Sequence, residues 1–300
     1  MKLLIAYDGS ECADQLFDDM LRAGLPDTCE ALVLTISGEE PFEGSISLLT
    51  EPSMHELVQA AKDSAAAMND RAVEHLRKDH PNWDVRGEIR SGSVATAILE
   101  RSKTWPADLI EIASHGRGLV GRMFLGSVSM SVLHRAHCTV RIARGHQAKP
   151  NHPDANLRIL LAYDGSDCSK LAFDAMLARE WATGTTLRII SVVEPMISSS
   201  YGYGGLGSDL VMSEAEDEQH RWLGEQLGEL KLRAQSVFAS VEAHSTFGLA
   251  RQIIIEEAKT WHADTIFMGA HGRSPLMRVA IGSVSQNIAM HAPCTVEIVR

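Results

Sequence analysis

Residues 1–144 and 157–300 are two copies of one unit in constant register, Tyr7 standing 156 positions before Tyr163 and Cys138 the same distance before Cys294. Such a chain folds as one small domain made twice, and its halves form an alignment of each other. Ala6-Tyr7-Asp8-Gly9-Ser10 returns as Ala162-Tyr163-Asp164-Gly165-Ser166, and Lys103-Thr104-Trp105 with Ala107-Asp108 as Lys259-Thr260-Trp261 with Ala263-Asp264. His115-Gly116-Arg117 returns as His271-Gly272-Arg273, and Gly126-Ser127-Val128-Ser129 as Gly282-Ser283-Val284-Ser285. The most repeated positions are glycines, serines and an aspartate rather than core residues, which points to a shared site.

Three hundred residues suit two domains, 1–144 and 157–300, each able to bury its own core. The stretch 145–156, rich in Pro, His, Asn and Lys, reads as the linker. A net charge of -11 argues against nucleic-acid and anionic-membrane partners. The apolar run at Met1–Ala6 is too short for a signal peptide, and no stretch nears the roughly 18 apolar residues of a membrane span. A cytoplasmic location is therefore expected. Five cysteines without CxxC spacing read as buried reduced thiols.

Each copy alternates apolar runs with amphipathic stretches, the pattern of an α/β domain with a parallel sheet. Strands are predicted at Lys2–Tyr7, Ala31–Ser37, Asp84–Ile89, Leu109–Ala113 and Thr139–Ala143, and at Arg158–Tyr163, Leu187–Val193, Val241–Ser245, Thr265–Gly269 and Thr295–Val299. Ala13, Leu16, Phe17, Met20 and Leu21 form one helical face capped by Ser10, matched by Ala172, Phe173, Met176 and Leu177. The next helix presents Leu57, Ala61, Met68 and Ala72 in one copy and Leu223, Leu227, Leu230 and Ala234 in the other. Loops are predicted at Glu39–Ser53 and Pro195–Ser208; the latter, with Tyr201-Gly202-Tyr203-Gly204-Gly205, reads as a mobile surface loop or a lid.

The chemistry-bearing motif is Gly269-x2-Gly272-x9-Gly282-Ser283, running from the fourth strand of copy two to its last helix. Glycine at a strand end admits a ligand's sugar to the backbone, and a helix opening at Gly282-Ser283 turns unpaired N–H groups towards a phosphate. Ser283 and Ser285 would add hydroxyl donors and Arg273 charge. In a doubly wound sheet of order 2-1-3-4-5 or a relative, ligands bind beyond the carboxyl ends of strands at the switch point. Asp164 closes strand one there, for ribose or a metal. A tight turn with a helix cap accounts for Gly165 and Ser166 but leaves that aspartate underused.

On these motifs the chain resembles a tandem member of the universal stress protein family, over both halves nearly end to end. The resemblance implies two Rossmann-like (adenine-nucleotide α-hydrolase-like) domains with five-stranded parallel sheets, paired through the last strand as an intrachain pseudo-dimer, and ATP binding. It puts adenine against the backbone of Val192 with Asp164 beside base and ribose, Met268, Gly269 and His271 along the ribose, and Gly272, Arg273, Gly282, Ser283, Val284 and Ser285 around the phosphates. Copy one keeps Asp8, Ile36, His115, Gly116, Arg117, Gly126, Ser127, Val128 and Ser129, but Ala113 replaces the first glycine. If its methyl pushes the ribose aside, affinity falls by about 10- to 100-fold.

Other patterns carry less. Gly116-x-Gly118-x2-Gly121 mimics a dinucleotide fingerprint after the wrong strand, and His134-x2-His137-Cys138 mimics a metal cluster but is not repeated in copy two. Arg141 and Glu297 are equivalent positions of opposite sign, suited to facing each other in a pseudo-dimer or to being unrelated surface charges. The expected function is a cytoplasmic ATP-binding stress regulator acting on a protein partner, alone or as a homodimer of tandem chains. The alternatives are a slow ATPase or phosphoryl-transfer enzyme and a ligand-free scaffold. No lysine repeats in the phosphate loop. If Mg2+ accompanies ATP, Asp8 and Asp164 are the repeated carboxylates placed to help.

Overall fold

The computed structural model describes residues 1–38, 51–115, 125–144, 156–194, 206–272 and 281–300, with the side chains of 51–55 and 206–217 excepted. The chain divides into two compact units, Met1–Ala148 and Lys149–Arg300. The linker, the Tyr-Gly segment, Gly116, Arg117, Gly118, Gly121 and Arg273 lie outside the described residues, apart from Asn156 at the linker's end.

Domain one runs β1 (Lys2–Ala6), α1 (Glu11–Met20), β2 (Glu30–Ile36), α2 (Glu51–Asp79), β3 (Asp84–Arg90), α3 (Val94–Thr104), β4 (Leu109–Ala113), α4 (Ser127–Arg135) and β5 (Thr139–Ala143). Domain two repeats it as β6 (Arg158–Ala162), α5 (Asp167–Leu177), β7 (Thr186–Val193), α6 (Leu206–Ala234), β8 (Ser240–Phe247), α7 (Ala250–Thr260), β9 (Thr265–Gly269), α8 (Ser283–His291) and β10 (Thr295–Val299). Within the domains the strand orders are β3-β2-β1-β4-β5 and β8-β7-β6-β9-β10, with every described pairing parallel. The order is thus a relative of 2-1-3-4-5 in which the chain works outward twice before crossing back, and the switch point falls between β6 and β9 in domain two. Parallel strands bury both faces, which is why they read as continuous apolar runs. All strands of a domain end on one side, gathering Asp164, Val192 and Gly269 there.

The helices cover the sheets with the apolar residues that carry a 3.6-residue period. Ala13, Leu16, Phe17 and Met20 are buried under α1, as are Ala172, Phe173 and Met176 under α5. Leu21 departs from the predicted face: the helix ends at Met20, and Leu21 at its C-cap is 56% exposed. Leu223, Leu227, Leu230 and Ala234 are buried as expected, but on α2 the buried face is Ala65, Ala72, Val73 and Leu76, while Leu57 and Ala61 are exposed. A 29-residue helix is about 43 Å long, whereas a strand of seven residues spans about 23 Å. The N-terminal half of α2 therefore outruns the sheet beneath it. The second helices also begin earlier than predicted, taking Glu51–Ser53 and Leu206–Ser208 from the expected loops.

The five cysteines are thiols as expected, but only Cys29 and Cys294 are buried; Cys12, Cys138 and Cys168 are half-buried, correcting the fully buried expectation. Arg141 and Glu297 are not solvated surface charges. Each is fully buried in its strand and paired inside its own domain, Arg141 with Asp19 at 2.7 Å and Glu297 with Arg179.

Candidate nucleotide site

A cleft of about 490 Å³ opens in domain two at the carboxyl ends of β6, β7 and β9, beside the N-termini of α7 and α8. Ten residues singled out from sequence border it: Asp164, Val192, Met268, Gly269, His271, Gly272, Gly282, Ser283, Val284 and Ser285. Ala162 and Ile190 of the strands and Tyr163 just past β6 also line it, and Ser169, Glu194, Gln219, Ala250 and Ile254 join the wall without having been singled out as site residues. Ile254 was legible as an apolar helix residue. Glu194 carried a weaker signal, a carboxylate just past a strand end.

The Asp-Gly-Ser turn is a structural unit before it is anything else. Asp164 Oδ1 accepts the N–H of Ser166 at 3.0 Å, Gly165 takes φ +80, and Ser166 Oγ accepts the N–H of Ser169 at 3.2 Å to cap α5. Domain one repeats this with Asp8 to Ser10 at 3.0 Å, Gly9 at φ +70 and Ser10 accepting from Ala13 at 3.2 Å. The turn therefore uses the aspartate as well as the glycine and serine, contrary to expectation. Asp164 still forms part of the cleft wall: a Cβ on Gly272 would come within 2.9 Å of its Oδ2.

Gly269 is a close-approach glycine, but what approaches is protein. A Cβ there would lie 2.6 Å from the carbonyl carbon of Cys168 and 2.7 Å from its Cβ, so the bare backbone admits the first turn of α5. This corrects the reading that the glycine chiefly makes way for ribose. Ala113 holds the same place in domain one and is buried in the apolar cluster with Tyr7, Ala13, Leu16 and Phe17. Its methyl is packed among the α1 residues of that cluster.

Ser285 Oγ donates to the carbonyl of Gly269 at 2.8 Å, and Ser129 Oγ to that of Ala113 at 2.8 Å. Their hydroxyl protons brace the strand end against the last helix, so they are not the phosphate donors expected of them. The glycines beside them keep the brace short. Gly282 donates its N–H to Ala270 at 2.8 Å and Gly126 its N–H to Ser114 at 2.8 Å, and a Cβ on Gly282 would lie 3.2 Å from that Ala270 oxygen. Among the described residues no side chain caps α8 or α4. Their leading N–H groups, with the exposed hydroxyls of Ser283 and Ser127, remain suited to an anion.

The two repeated histidines are both held below the ordinary imidazole range. Burial, reinforced by the positive charge of Arg300, lowers the pKa of His271; burial and Arg144 do the same at His115. Among the described residues His271 Nδ1 is buried without a hydrogen-bond partner, whereas His115 Nδ1 pairs with Ser114 Oγ at 3.0 Å, because serine replaces Ala270 there. Arg144 and Arg300 are themselves a repeated pair, 156 positions apart, set behind the glycine loop by the Ala270 N–H to Val299 carbonyl bond of 2.8 Å. Domain one keeps Asp8, Ile36, His115, Gly126, Ser127, Val128 and Ser129 at the matching positions of its fold. Among the described residues no cluster of three or more His, Cys, Asp or Glu could hold a metal ion.

A family model described as the universal stress protein family matches residues 1–144 and 156–300. The chain belongs to the universal stress protein family. A universal stress protein of Mycolicibacterium smegmatis is 29% identical over 218 residues, 72% of this chain and 69% of the relative. One from Mycobacterium tuberculosis is 31% identical over 208 residues, 69% of this chain and 66% of the relative. The fold is also that of a universal stress protein from Archaeoglobus fulgidus, at TM-score 0.64, 19% identity, 100% coverage of this chain and 98% of that one.

Within the universal stress domains, one repeated motif proves purely architectural. The Ala-Asp pair before strand four ties the starts of two neighbouring central strands together: Asp108 Oδ2 accepts the N–H of Lys2 at 2.7 Å, and Asp264 Oδ2 that of Arg158 at 2.8 Å. Among the described residues no helix is long and apolar enough to cross a membrane.

Proposed function

We propose that this universal stress protein is a cytoplasmic ATP-binding regulator, built as domains 1–144 and 157–300 joined by the linker 145–156, with domain two as its main nucleotide site. The observation that carries the reading is a cleft bordered by Asp164, Val192, Met268, the described glycines of the loop and the start of α8. The cradle fits a nucleotide. Gly272 and Gly282 lie where a side chain would crowd Asp164 or the Ala270 carbonyl, and the uncapped α8 offers N–H donors to phosphate. Adenine would lie against Val192, the ribose beside Asp164, Met268, Gly269 and His271, and the phosphates along Gly272, Arg273 and Gly282–Ser285.

Regulation is favoured over turnover by the residues at hand. No lysine borders the cleft among the described residues, Asp164 is engaged in its turn, and His271 is a half-buried imidazole whose pKa is lowered by desolvation and by Arg300. ATP would act by binding two conformations unequally and so biasing a surface towards a protein partner. Calorimetry of ATP with Mg2+ on the wild type and Gly282→Val tests the site. Loss of most binding in the variant, with its unfolding temperature retained, supports domain two as the main site. No binding to the wild type hands the lead to the scaffold reading.

A further inference from the structure

The two domains differ by a charge on the cleft wall. Glu194, just past β7 and two residues beyond Val192, borders the cleft of domain two, while the matching position in domain one is Gly38. Glu194 Oε1 accepts the N–H of Ala250, the first residue of α7, at 2.9 Å. The N-cap of that helix is Leu249, which has no side-chain oxygen, so Glu194 caps the helix from the neighbouring strand end. That bond fixes the carboxylate in place and takes one of about four lone-pair sites. The rest of the group is an acceptor-only surface beside the apolar Val192, Ala250 and Ile254.

The cleft is therefore polar in opposite senses at its two poles. The start of α8 offers donors and repels cations, whereas Glu194 offers acceptors and repels anions. A ligand that satisfies both carries its negative charge at one end and a hydrogen-bond donor on a flat apolar group at the other. Resting on the nucleotide reading above, we propose that Glu194 selects the base, accepting from the 6-amino group of an adenine ring against Val192. A 6-oxo purine would turn lone pairs towards the carboxylate and leave that acceptor surface unpaired.

Glu194→Gln tests this without removing the helix cap, because the amide oxygen can still accept from Ala250 while its NH2 turns a donor into the cleft. Calorimetry on the full chain would compare ATP, ITP and 2′-deoxy-ATP, with unfolding temperature as the control for folding. Glu194 is exposed in the unliganded fold, so the preference arises only where a bound base shields its carboxylate from water, and the wild type should prefer ATP to ITP by about 5-fold. In Glu194→Gln that ratio should collapse towards one or invert at unchanged stability. A ratio unmoved by the substitution would reduce Glu194 to a helix cap, and a change confined to the ATP to 2′-deoxy-ATP ratio would move the carboxylate to the ribose; either overturns the proposal. A wild type that binds none of the three sinks the nucleotide reading itself, a result distinct from equal binding of ATP and ITP, which sinks only the base selection.

Discussion

The hydroxyl of Ser285 donates to the carbonyl oxygen of Gly269 across 2.8 Å of buried space, tying the start of α8 to the end of β9. Ser285→Ala leaves that carbonyl without its donor, at an expected loss of about 1–3 kcal/mol. Denaturant unfolding should register the loss, with Ser129→Ala giving the same in domain one. A phosphate donor would behave otherwise, with ATP affinity falling at unchanged stability, and that pattern would return Ser285 to the ligand.

Opposite substitutions at the equivalent positions Gly269 and Ala113 should each be destabilising. Gly269→Ala sets a methyl against the Cys168 backbone and should destabilise domain two by about 1–3 kcal/mol. Ala113→Gly removes a buried methyl and loosens the backbone, and should destabilise domain one by about 1 kcal/mol. Calorimetry on Ala113→Gly should show no gain in ATP affinity or stoichiometry, because the methyl addresses α1. A gain would reinstate the direct clash with ribose.

The strands were legible because a parallel sheet buries both faces: Leu109–Ala113, Thr139–Ala143, Thr265–Gly269 and Thr295–Val299 have in the fold the limits their apolar runs predict. Helix faces were less so, since periodicity marks which side is apolar but not how far the sheet reaches beneath it, as Leu57 and Ala61 show. The site was legible wherever the backbone demanded a residue type, as at Gly165 and Gly282. It was illegible where a residue occurs in one copy alone. Glu194 and Ala250 face Gly38 and Val94 in the repeat, so comparing the halves passes over them. What sequence could not give was direction: that Gly269 faces a helix and Ser285 a carbonyl depends on packing.

Stability should fall as the solution is acidified through the histidine range. In the unfolded chain histidine protonates near pH 6.5. In the fold, burial holds His80, His115 and His271 lower, with Arg144 and Arg300 adding to it at the latter two. Below about pH 6.5 the unfolded chain takes up protons that the fold refuses, so stability present above that pH is lost as pH falls towards the folded values. Unfolding temperatures at pH 7.5 and 5.5 should separate more for the wild type than for His115→Gln/His271→Gln. Equal separation would remove these two imidazoles as the source.

Burial decides which ion pairs matter. Arg141 is fully buried and meets Asp19 at 2.7 Å with Glu111 at 3.7 Å, whereas Arg86 meets Asp84 at 2.5 Å in the open. Removing one partner of a buried pair strands a charge away from water, so Asp19→Ala should destabilise domain one by about 3–5 kcal/mol. Asp84→Ala should change stability by no more than about 1 kcal/mol. Urea unfolding of both variants checks the contrast. Similar small effects would mean that the other groups around Arg141, Glu111 among them, hold its charge without Asp19.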